Sequence, residues 1–205
     1  MTEEQKTPFD YKTYWDNNYS QGGTSGSGSY GVLADFKAEV INSFISEHGI
    51  QKVIEFGCGD GNQISLMSYE QYLGLDVANS SIDICAQRFA GDRSKSFLAY
   101  NPRHFVNHGY LTCELVVCLD VLYHITDDHD FNKTLNDIFS CEAEHVILYT
   151  RITSADEPNF VPTIRDRDIL NHLKAYSNYK VERIIEQKHK HLSSASFIIL
   201  QREET

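Results

Sequence analysis

The chain is predicted to form a doubly wound α/β domain on a mostly parallel seven-stranded sheet, and three observations predict it. Apolar runs of strand length alternate with segments of helical periodicity from Lys52 onward. The first of those runs ends directly in a glycine-rich turn, Gly57-Cys58-Gly59-Asp60-Gly61. The alternation breaks only at the end, where strands 179–185 and 195–200 are joined by a polar loop. That ending reads as a hairpin and puts an antiparallel strand near one edge of the sheet.

The elements follow in order. Residues 1–31 form a segment of their own, rich first in aromatics (Phe9, Tyr11, Tyr14, Trp15, Tyr19) and then in glycine and serine from Gln21 to Gly31. A flexible linker is one reading. Aromatics on both sides favour a segment folded back as a lid, whose small residues offer N–H and hydroxyl groups to an anion or a carboxylate. Tyr14, Trp15, Tyr19, Ser25, Ser27 and Tyr30 are its candidate contacts. Residues 32–205 are then the main domain. Leu33, Phe36, Val40, Ile41, Phe44 and Ile45 recur at helical spacing, with Gly49 as a stop. Strand 52–56 leads through the glycine turn into a short helix, 62–67, and then strand 72–77. Ser80-Ser81 are candidate caps of a helix over 82–89. Strand 96–100 reads as an edge, and 114–120 is apolar enough for a central parallel strand. A helix over 130–140, strand 145–150 and a helix over 166–176 precede the terminal pair.

Composition narrows the function. The chain has 205 residues, 41% of them hydrophobic, which suits a globular domain that needs no disulfide or metal staple. Net charge is −11, from 18 basic and 29 acidic residues. A nucleic-acid binder must neutralise many phosphates, so DNA and RNA are unexpected partners, with Arg151, Arg165 and Arg167 the candidates for a local basic patch. Five cysteines without a C-x-x-C pair point to a reducing, cytoplasmic location. The N-terminus lacks signal-peptide character, and no apolar run approaches the ~20 residues of a membrane span.

Three stretches carry chemistry. In Val53-Ile54-Glu55-Phe56-Gly57-Cys58-Gly59-Asp60-Gly61-Asn62-Gln63, glycines let a buried strand end where the backbone approaches a ligand. The spacing is G-x-G-x-G rather than the G-x-G-x-x-G of dinucleotide sites. Asp76 ends the second strand, where an acid can accept both hydroxyl hydrogens of a ribose. Leu119-Asp120-Val121-Leu122-Tyr123-His124-Ile125 ends the fourth strand at the switch point of the sheet. There Asp120, Tyr123 and His124 are the candidate catalytic residues. His124 is a base if the acceptor is a neutral hydroxyl, or only a hydrogen-bonding group if it is a phosphate or carboxylate oxygen. His124 with Asp127 to Asp130 also has metal-ligand chemistry, but Asp127 to Asp130 fall where the next helix needs a cap and N-terminal negative charge. Capping is the preferred reading, with no metal. His189-Lys190-His191 reads as a solvated loop.

VIEFGCGDGNQ, YLGLDVANSSI, CLDVLYHITDD and the N-terminal YWDNNYSQGGTSGSGSYG together resemble class I S-adenosylmethionine-dependent methyltransferases. Within that family the resemblance is to a bacterial subgroup associated with capsule and cell-surface glycan biosynthesis, some members of which are linked to O-methylation of capsular phosphoramidate. It implies a Rossmann-like sheet in the order 3-2-1-4-5-7-6, S-adenosyl-L-methionine as cofactor, and a small-molecule or glycan-precursor acceptor. It also implies a cofactor wall of Glu55, Gly57, Cys58, Gly59, Gly61, Gln63, Asp76, Val77 and Asp120, with Glu55 orienting the cofactor's amino group. The third strand lacks the acid that many relatives place against adenine, which leaves that contact to backbone or Tyr100. Two rivals stand beside the enzyme: a cofactor-binding scaffold or sensor without turnover, and an NAD-dependent oxidoreductase.

Overall fold

The computed structural model describes residues 9–154 and 161–203, so residues 1–8 of the N-terminal segment lie outside the described residues. The first element is one the sequence reading left unassigned. Helix α1 (Tyr11–Ser20) starts at Asp10, whose carboxylate accepts from the backbone of Lys12 at 3.1 Å and Thr13 at 3.3 Å. Tyr11, Tyr14, Trp15 and Tyr19 stand at helical spacing, so the aromatic density of this stretch was a helix face. A 3-10 turn, Ser27–Ser29, leads into α2 (Gly31–His48), which ends on Gly49 in the left-handed region.

Strand β1 (Lys52–Phe56) enters the glycine turn, but the helix expected over 62–67 is a single 3-10 turn, Ile64–Leu66. The Asn62 side-chain amide donates to the Ser29 carbonyl and the Ser68 backbone N–H donates to Asn42 Oδ1, so no second helical turn propagates. After β2 (Gln71–Asp76), helix α3 (Asn79–Arg88) begins at Ala78 with no side-chain cap. The two serines expected to cap it are used elsewhere. Ser80 bonds Asp16 of α1 at 2.8 Å, and buried Ser81 donates to the Gly59 carbonyl at 2.6 Å. Strands β3 (Lys95–Ala99) and β4 (Leu115–Leu119), helix α4 (Asp128–Ser140) and β5 (His145–Arg151) follow. The helix expected over 166–176 is short: α5 (Ile169–Leu173), capped by Asp168. Strands β6 (Tyr179–Ile185) and β7 (Ala195–Arg202) end the chain.

The seven strands pair in the order β3-β2-β1-β4-β5-β7-β6. All neighbours are parallel except β5–β7 and β7–β6. Alternation along the strands sends side chains to two cores. Ile54, Val116, Cys118 and Leu148 pack with Phe131, Leu135 and Ile138 of α4 on one face. Val53, Leu115, Val117 and Ile147 pack with Ile41 and Phe44 of α2 on the other. Strand order reverses between β1 and β4, so their carboxyl ends splay apart there and open a crevice. Among the described residues, no helix is long and apolar enough to cross a membrane.

Candidate active site

A cavity of about 310 Å³ fills that crevice. Its floor is the glycine turn. Gly57 has φ +90°, and a Cβ there would lie 2.1 Å from a methyl of Val121; a Cβ on Gly59 would lie 2.3 Å from Ser25 Oγ. Glycine is required at both places because neighbouring chain occupies the space. The N–H groups of Gly57 and Cys58 both reach the Leu75 carbonyl, at 2.7 and 3.1 Å, which ties the turn to β2.

Two buried acids flank the floor. Asp76 accepts from the backbone N–H groups of Gly59 and Ala78, each at 2.9 Å, so the carboxylate expected to hold a ribose also braces the turn. Burial raises its pKa. Glu55 accepts from the Tyr72 hydroxyl at 2.6 Å, and burial pushes its carboxyl up to about 7. Cys58 and half-buried Val77 complete this wall. Gln63 donates to the Ala34 carbonyl at 3.0 Å, while its buried Oε1 has no partner. A buried acceptor left over on a cavity wall suits a donor carried by a ligand.

At the other end Asp120 follows β4 with φ +60°, an uncommon value for a residue other than glycine. One carboxylate oxygen takes the Lys37 ammonium at 2.7 Å, and the other takes the Tyr123 hydroxyl at 2.8 Å. Lys37 is 0% exposed and lies 5.3 Å from the centre of the Tyr149 ring. Sequence reasoning missed it, although a signal exists: Lys37 falls between Leu33 and Ile41 on the apolar stripe of α2. His124 binds the Thr163 carbonyl through Nδ1 at 2.8 Å, and the Trp15 ring packs against it edge-on at 5.2 Å. Burial lowers its pKa, so the ring is neutral at pH 7.

Part of the N-terminal segment lines the cavity. Tyr11, Trp15, Tyr19 and residues 25–29 line it, which brings together the candidates Trp15, Tyr19, Ser25 and Ser27. Tyr14 and Tyr30 are not lining residues: Tyr14 is 41% exposed against Phe9, and the Tyr30 hydroxyl donates to Asp60 at 2.7 Å. Asp60, inside the glycine turn, was not among the sequence candidates. Tyr100 lines the cavity, its hydroxyl donating to Asp137 at 2.7 Å.

Among the acids at 127–130 one is the cap of α4 and two lie within that helix, and ligand atoms of Asp127, His129 and Asp130 come within 4.8 Å of one another. Asp127 caps α4 by accepting from the Asp130 backbone at 2.8 Å, and Asp130 binds Lys12 at 2.7 Å and Arg103 at 2.8 Å. Arg151 pairs with Asp166, and Arg165 and Arg167 with Asp128, so each arginine of the supposed basic patch has an acid beside it.

The cavity therefore presents four carboxylates (Glu55, Asp60, Asp76, Asp120) against one ammonium, beside a glycine turn at the switch point. Those acceptors fit a cationic nucleoside bearing hydroxyls and an amino group. Fold and site define the class, a methyltransferase that uses S-adenosylmethionine. A family model described as "Methyltransferase domain" matches residues 31–197, and the chain belongs to that family. This assignment takes the place of the oxidoreductase reading. No curated protein sequence matches the chain.

Solved structures share its fold. One is N-methyltransferase NodS from Bradyrhizobium japonicum WM9 in complex with S-adenosyl-L-homocysteine, 12% identical with a TM-score of 0.70 over 96% of this chain and 100% of that one. Another is magnesium protoporphyrin IX methyltransferase from Synechocystis PCC 6803 with bound SAH, 15% identical with a TM-score of 0.69 over 95% and 100%. The methyltransferase domain of a bacterial Hen1 is 20% identical with a TM-score of 0.59 over 80% and 97%.

Proposed function

We propose that this enzyme methylates a neutral hydroxyl oxygen of a small molecule or glycan precursor, capsule precursors included, with His124 as the base. The observation that carries the reading is the bond from His124 to the Thr163 carbonyl. A carbonyl can only accept, so Nδ1 holds the ring proton and Nε2 keeps a free lone pair. Burial keeps the ring neutral, and His124 lines the cavity. A neutral imidazole so tethered can take a hydroxyl proton as the oxygen attacks.

S-adenosylmethionine supplies an electrophilic methyl on a positively charged sulfur, which leaves alignment, exclusion of water and proton removal to the chain. Glu55, Asp76, Gln63 and the glycine turn would hold it. Trp15 shields His124. A phosphate or phosphoramidate oxygen would need a free cation nearby, whereas Lys37 is committed to Asp120. The net charge of −11 supports a small acceptor over a nucleic acid, and free cysteines support a cytoplasmic location.

Methyl transfer from labelled cofactor to a panel of neutral sugars and polyols, beside phosphoramidates and amines, tests this. Label is expected on hydroxyl oxygen, and His124→Ala should lower turnover by about 10²- to 10⁴-fold with S-adenosylhomocysteine affinity unchanged. Label confined to phosphorus-bound oxygen or nitrogen, or undiminished turnover in the variant, overturns the reading.

A further inference from the structure

Besides adding its charge to the cavity wall, Asp60 is 6% exposed and joins the glycine turn to the N-terminal residues that line the cavity. One carboxylate oxygen accepts from the Ser25 backbone at 2.8 Å and from the Tyr30 hydroxyl at 2.7 Å. Its own N–H donates back to Ser25 Oγ at 2.8 Å, and the Tyr19 hydroxyl lies 3.1 Å from that same oxygen. Arg88 of α3 holds the Asp60 carbonyl at 2.9 Å, so the anchor side is rigidly placed. Gly26 and Gly31, at φ +79° and +55°, bracket residues 27–30, and an added Cβ would meet nothing within 4 Å at either. Glycine is there for the left-handed backbone rather than for space. Between these two glycines Gly28 sits against Asp120, so the same short segment also reaches the acceptor end of the cavity.

We propose that Asp60 is a positioning residue that latches residues 11–31 over the cofactor, and that release of Ser25 and Tyr30 from it sets the rate of cofactor exchange. The proposal rests on the cofactor assignment. Its readout is at hand, because Trp15 is the only tryptophan, lies on the latched segment and lines the cavity.

The experiment is stopped-flow Trp15 fluorescence on mixing the full chain with S-adenosylhomocysteine, alongside calorimetric affinity. In the double variant Ser25→Ala/Tyr30→Phe, which leaves the glycine turn intact, association and dissociation should both accelerate about tenfold, with affinity changed much less. Asp60→Asn should accelerate both from the loop side. Wild-type rates in either variant overturn the latch. So does faster dissociation with unchanged association, which marks these groups as ordinary binding residues. A wild-type chain that gives neither heat nor a fluorescence change fails at the cofactor assignment, and the latch falls with it.

Discussion

Lys37 shows how far a single residue can shape this site. A fully buried ammonium is costly unless paired, and its partner Asp120 lies 2.7 Å away at the end of β4. The same carboxylate takes the Tyr123 hydroxyl, so Asp120 is neutralised and oriented rather than free to act as a base. In the reaction proposed above this leaves His124 as the base. Removing one partner of such a pair leaves the other charge buried alone. Lys37→Met is therefore expected to destabilise the fold by about 3–5 kcal/mol, and Lys37→Met/Asp120→Asn to recover part of that loss. Urea denaturation of both variants checks this; additive losses would show that the pair does not couple.

At the scale of the element, the turn between β1 and β2 is defined by what surrounds it more than by its own flexibility. The Val121 side chain fills the space beside Gly57, and that backbone stands at φ +90°. Gly57→Ala meets both a clash and an unfavourable conformation, a combination that costs about 1–3 kcal/mol for the backbone alone. It is expected to lower Tm and to abolish S-adenosylhomocysteine binding, read by thermal unfolding and calorimetry. The sequence reading recognised this turn because glycine spacing is local information. It did not recognise α1, although Asp10 and the aromatics at 11, 14, 15 and 19 were a legible cap and face. It extended the turn after Gly61 too far, because the Asn62 side chain is drawn off to Ser29, and it extended α5 as well.

For the whole molecule, the site's buried acids make stability depend on pH. Burial raises the Glu55 carboxyl from the usual 4.5 to about 7. Between those values the folded chain holds a proton that the unfolded chain has lost, so stability falls as pH rises. The gap corresponds to about 3 kcal/mol, absent below pH 4.5 and complete above about 7. Asp76, also raised by burial, acts in the same direction. Unfolding free energies at about pH 5 and about pH 8 should differ accordingly, and Glu55→Gln should flatten the difference. An unchanged slope in that variant would mean that Glu55 is not the group responsible.

The sequence by itself determined the alternating strands and helices, the antiparallel ending, the glycine turn and the acids Glu55, Asp76 and Asp120, because periodicity, burial and turn chemistry are short-range. The strand order came with the family resemblance, since no local pattern specifies which strands become neighbours. Only the tertiary structure decided the partners. Lys37 meets Asp120 across 83 residues, Ser25 meets Asp60 across 35, and His124 finds its carbonyl 39 residues away at Thr163. In sequence each is an ordinary polar residue. Packing removed water from them, and a buried polar group must then find a partner wherever the fold has placed one.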